Sequence, residues 1–275
     1  MPGSFGAALA ALVLLVAAWP VAHAQTATGA SAFNWYYATA FGTGVYRVGG
    51  VDVVALKLPF AHTLRPTGPD QWGVRLALPV TIAGADVGEE SDVPGLPDHL
   101  ASIAFVPGIE VEIPLRPEWT LTPYLNAGVG REFLDGSSAT IGIAGVRSRY
   151  RFPAFGRDAY LGNALVYSRT WTSGPDDALA LFIAGLNVAA FDGPDVGNRA
   201  TRIWGHAIYY GYFNDLEFVL PDSEVVALRN EYELAVSLIP RKPWDVLGFE
   251  LDAVGLGYRF SNETQGITLF TSFPF

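Results

Sequence analysis

Apolar residues recur at every second position through most of the chain. In "WGVRLALPVTI", Trp72, Val74, Leu76, Leu78, Val80 and Ile82 share one register, and Gly73, Arg75, Ala77, Pro79 and Thr81 share the other. "IAFVPGIEVEI" sets Ile103, Phe105, Ile109, Val111 and Ile113 against Ala104, Gly108, Glu110 and Glu112. "WTLTPYLNAGV" does the same with Trp119, Leu121, Leu125 and Val129 against Thr120, Thr122, Tyr124, Asn126 and Gly128. Alternation at 180° per residue marks a strand with two unlike environments. Twelve such segments are predicted, at 35–48, 51–64, 72–83, 101–114, 119–132, 139–152, 158–170, 178–190, 201–213, 230–240, 247–260 and 265–275. Many exceed the common soluble strand of about 5–6 residues and suit a tilted membrane strand of about 9–11.

The connectors sharpen this reading. Those after even-numbered segments are mostly short ("RPTGPDQ", "RPEW", "PAFGR", "RKPWDV"), although 191–200 is longer. Those after odd-numbered segments include the two longest, 84–100 and 214–229, beside the tight Gly49-Gly50 turn. Outer-membrane barrels have short periplasmic turns and longer outer loops. Trp35, Tyr36, Tyr37, Trp72, Trp119 and Trp244 would gather near one membrane surface as an aromatic girdle. The expected fold is all-β: one antiparallel transmembrane β-barrel of about 12 strands.

Composition changes the picture in three places. Charged residues make up 16 % of the chain, below the roughly 25 % of an ordinary soluble domain, yet past the leader no apolar run reaches the ~18 residues of a membrane helix. The leader itself, "AALAALVLLVAAWPVAHA", ends in Ala22-His23-Ala24, an A-x-A-like cleavage site. Residues 1–24 are therefore read as a cleaved signal peptide, 25–34 as a short periplasmic segment and 35–275 as a single barrel domain. The net charge of −10 argues against a nucleic-acid partner, and with no cysteine in the sequence no disulfide can form.

If the apolar register faces lipid, the other lines a lumen, and its few charges become the candidate site. Lys57, Arg75, Glu110 and Glu112 fall toward the periplasmic half; Glu231, Glu233 and Arg259 fall toward the outer half. Opposite charges on neighbouring strands can pair across the ladder, bracing the interior or lining a constricted pore. Ile267, Leu269, Phe273 and Phe275 form the expected lipid-facing edge of a closing strand.

Catalytic and metal chemistry find little in the pattern. Of His62, His99 and His206, none has a serine two residues along on the same face, although a Ser–His–acid set can assemble from distant strands. Asp86, Glu89, Glu90, Asp92 and Asp98 lack the EF-hand spacing and read as a solvated acidic loop that can bridge through cations to lipopolysaccharide. No enzyme, cofactor or metal is expected.

Signal peptide, twelve alternating segments, "FNWYYATAFGTGVYRVG", "VVALKLPFAHTLRP" and a final Phe together resemble a Gram-negative outer-membrane β-barrel, and more narrowly the solitary outer-membrane autotransporter-like barrels. That resemblance implies a monomer in the bacterial outer membrane, in contact with lipid and lipopolysaccharide. The tail resembles the signal read by the outer-membrane assembly machinery. Only about ten residues separate the cleavage site from the first segment, so no passenger is expected in cis. A structural or minor channel role follows, with an outer-membrane lipid or peptide hydrolase and a surface-interaction barrel acting through its outer loops as alternatives.

Overall fold

The computed structural model describes residues 42–85, 100–133, 136–173, 177–196, 199–219, 225–246, 249–270 and 275. The expectations for residues 1–24 and 25–34, for Trp35, Tyr36 and Tyr37 at the start of the first strand, for the acidic loop with His99 and for Phe273 lie outside them. The strands are β1 (Thr43–Val48), β2 (Val51–Arg65), β3 (Gly73–Ala85), β4 (Leu100–Phe105), β5 (Gly108–Arg116), β6 (Trp119–Glu132), β7 (Ser138–Ala154) and β8 (Arg157–Trp171). They continue with β9 (Asp177–Asp192), β10 (Thr201–Val219), β11 (Val225–Pro240), β12 (Trp244–Val246), β13 (Phe249–Leu251), β14 (Val254–Phe260) and β15 (Thr264–Phe270).

Every ladder is antiparallel, and the sheet closes because β1 pairs with both β2 and β15. β4 and β5 both lie between β3 and β6, interrupted at Val106-Pro107, so they are two halves of one stave. The result is a closed barrel of twelve staves. Closure removes the exposed edges that an open sheet would carry. We call the end with the Gly49-Gly50 hairpin the upper end and the end with the Phe155-Gly156 hairpin the lower. Both are two-residue turns with positive φ at each position (55° and 91°; 53° and 72°), the geometry that follows the twist of the flanking strands.

Two elements depart from the expected pattern. The connector 214–229 is mostly strand: β10 runs to Val219 and β11 starts at Val225, with a register shift between Gly211 and Leu216. The eleventh stave is only Val254–Phe260, because the chain before it folds into the separate β12–β13 hairpin. β13 approaches β2, three staves from β14, so this segment reaches inward across the lower mouth. The last stave is described as far as Phe270.

The outer face is apolar. Leu125, Leu234, Val236, Leu256 and Ile267 are each about three-fifths exposed around its middle. Trp72, Trp119, Tyr150 and Phe191 stand exposed toward the lower end, and Phe133, Trp171 and Phe213 toward the upper. Tyr209, Tyr232, Phe260 and Tyr258 form a chain of ring contacts with centroids 5.4–5.9 Å apart.

Inside, the upper half is filled. Tyr46, Val48, Val53, Ala55 and Ala83 from β1–β3 join Leu179, Leu181, Tyr212, Leu216, Val226 and Leu228 from β9–β11 in one buried cluster. These staves face each other across the barrel, so the cluster spans the lumen.

Candidate functional site

The inward register builds two charge groups, as the alternation of each stave requires. In the upper group β11 places Glu231 and Glu233 two residues apart on the same face, and β14 sets Arg259 in register with Glu233. All three are almost wholly buried. The ion pair forms diagonally, between Arg259 and Glu231. Tyr212 donates its hydroxyl to Glu231 at 2.6 Å and receives a hydrogen bond from Arg259 at 2.8 Å. Glu233 accepts from Tyr210 at 2.5 Å and from Thr268. The Arg259 guanidinium also lies 3.9 Å from the Tyr210 ring centroid. Two carboxylates, one guanidinium and three hydroxyls thus hold one another in a buried setting, where an unpaired charge would be too costly to keep.

The lower group is dispersed. Lys57, Arg75, Glu110 and Glu112 all line one cavity of about 710 Å³ below the apolar cluster. Among the described residues, no ion pair joins any two of the four. Arg75 stands opposite Glu110 in the β3–β5 ladder, yet Glu110 takes Arg147 of β7 at 2.6 Å. Arg75 instead reaches Asp252, after the β12–β13 hairpin, at 3.6 Å. Glu112 accepts from Thr67. The expectation of pairing within this group is thereby corrected: its partners are Arg147, Asp252 and Thr67. The reach of Arg147 depends on Tyr124, whose ring lies 4.9 Å beneath its guanidinium. Gly145 makes room, since a Cβ there would stand 2.5 Å from the Tyr124 ring.

Arg147 escaped the pattern because β7 is inverted relative to its neighbours. Its apolar Ile141 and Ile143 share the inward register with Arg147, and Ile141 is fully buried. Asp252 escaped because nothing in the period of 247–260 marks a hairpin before β14.

Phe275 is the second correction. Ile267 and Leu269 are exposed on the outer face, and even spacing would put Phe275 with them. Its side chain is buried and belongs to the lumen cluster. It lies on the bare backbones of Gly162 in β8 and Gly185 in β9, on the wall opposite β15. A Cβ on Gly185 would come within 2.6 Å of the ring. The two glycines form a flat seat that one aromatic ring fills.

A third constellation was missed at the level of single strands. Asn187, His206 and Ser237 come from the consecutive staves β9, β10 and β11 and are all buried. His206 Nδ1 lies 2.7 Å from Asn187 Oδ1, and Nε2 lies 2.7 Å from Ser237 Oγ. His206 and Asn187 are register partners, and Ser237 is the partner of Trp204, one inward position away. Testing each histidine against its own strand cannot find a set built across three.

No protein-family model matches the chain, and no curated protein matches it. Its functional reading therefore rests on the geometry. Among the described residues no cluster of three or more potential metal ligands occurs.

Proposed function

We propose that the chain is an integral outer-membrane β-barrel of solitary autotransporter-like type, with a structural or minor channel role. The observation that carries the reading is the outward face: an apolar band, bounded at both ends by exposed aromatics, wrapped around an interior that holds the charges. That arrangement is what hydrocarbon demands of a closed barrel, with aromatic girdles at the two interfaces. In this reading the lower end faces the periplasm, the upper end the exterior, and the band contacts lipid and lipopolysaccharide. The barrel works as a monomer.

The interior favours the structural role over a steadily open pore. The apolar cluster and the Arg259 network occupy the upper half, leaving a cavity below them. Planar-bilayer recording of refolded protein tests this, with folding confirmed by heat-dependent gel migration. The expected result is insertion without steady porin-sized conductance. A large, stable conductance from well-folded protein would overturn the structural role in favour of the channel.

A further inference from the structure

We propose that Ser237, His206 and Asn187 form a hydrolytic site for carboxylic esters with apolar acyl chains. The argument starts from Asn187. Its Nδ2 donates to the backbone oxygen of Tyr160 at 3.5 Å, which leaves Oδ1 facing the imidazole at 2.7 Å. An amide oxygen only accepts, so the proton of the neutral ring sits on Nδ1. Nε2 then presents its lone pair to Ser237, whose hydroxyl donates to it at 2.7 Å. This is the tautomer a serine nucleophile requires, with asparagine in the orienting position as in cysteine–histidine–asparagine sites. Each member sits on a different stave of a continuous ladder, so the backbone fixes their spacing.

The surroundings suit an acyl chain. Trp204 and Ile239, the inward neighbours of His206 and Ser237, line the 710 Å³ cavity with Ile183, Leu181 and Ala164, so the set adjoins the cavity wall without itself lining it. Phe275 rests on Gly185, the next inward residue along β9 from Asn187. It acts as a cover that holds the set latent.

In the reaction, Ser237 Oγ attacks the ester carbonyl as its proton passes to His206 Nε2. The bond to the alcohol oxygen breaks and Nε2 returns the proton to the departing alkoxide. Water then attacks the acyl-serine by the same proton route, releasing the acid and restoring Ser237. Asn187 is a positioning residue, acting through the imidazole. A set that merely braced the wall would keep the same hydrogen bonds and show no such chemistry.

The test is covalent labelling of refolded full chain with a long-chain alkyl fluorophosphonate, mapped by peptide mass spectrometry. Heat-dependent gel migration confirms that each variant is folded. The expected result is one adduct on Ser237, absent in Ser237→Ala and slowed about 100-fold in His206→Gln. Phe275→Ala should label faster. Asn187→Asp should keep the labelling that Asn187→Leu loses. No adduct on Ser237 in either the native chain or Phe275→Ala overturns the proposal, as does labelling that survives Ser237→Ala. Either failure leaves the membrane-barrel reading intact, because that rests on the outer face.

Discussion

Arg259 is the residue whose loss the interior is least able to absorb. It is the cation shared by Glu231 and the hydroxyl of Tyr212, and it stacks on Tyr210. Arg259→Met leaves Glu231 buried without its charge partner, at a cost of about 3–5 kcal/mol. Urea unfolding of the barrel in liposomes, followed by tryptophan fluorescence, should show that loss; a shift below about 1 kcal/mol would mean the pair is hydrated. Removing Glu231 together with Arg259 should restore part of it. Phe275 supports a second expectation. Gly162→Val places a side chain where the ring lies, so it should expel Phe275 much as Phe275→Ala removes it. The native chain has no cysteine, so a cysteine at Ile183 in the cavity wall reports the change. Both variants should speed its reaction with a water-soluble maleimide, and unchanged rates would show that the ring does not shield the cavity.

At the level of elements, the staves were legible and their endings were not. Period two depends on unlike faces, and β3, β5 and β6 have them: Arg75, Glu110 and Tyr124 inside, Leu76, Ile109 and Leu125 outside. β7 blurs the signal because its upper half meets the apolar interior cluster of Ala104, Val106 and Ala139, so isoleucine is used inside. The β10–β11 ends were hidden because "LEFV" and "VVALRN" show no clean alternation beside the register shift. The candidate site was half legible. Alternation named Glu231 and its partner Arg259 on neighbouring staves, but not the ion-pair partners of the lower group, because those lie two staves away or outside the staves. Asp252 is the clearest case: its link to Arg75 ties the segment 241–253 to the opposite side of the lower mouth. Trp244 Nε1 adds a hydrogen bond to the Val196 oxygen at 3.2 Å, and Arg199 donates to the Lys242 oxygen at 3.1 Å. Arg75→Ala should therefore increase protease cleavage within 241–253 while changing barrel stability by less than about 1 kcal/mol, as for partly exposed pairs. Unchanged cleavage would assign the inward fold to the backbone alone.

For the whole molecule, the account stands on the outer band being in contact with lipid. Leu125 is 65 % exposed near the middle of that band, with aromatics above and below it on the same stave. Leu125→Arg should cost about 2–4 kcal/mol in a bilayer, the penalty for a cation at the midplane, and far less at the Trp119 level. The most direct test uses single cysteines at Trp119 and Leu125 in β6 and at Phe133 just past its end, in protein refolded into liposomes. Leu125→Cys should resist a water-soluble maleimide and have an attached fluorophore quenched by lipids brominated at mid-chain, while Trp119→Cys and Phe133→Cys react at the two surfaces. Rapid maleimide labelling of Leu125→Cys in the folded, liposome-bound barrel, without lipid quenching, would contradict the membrane-spanning account.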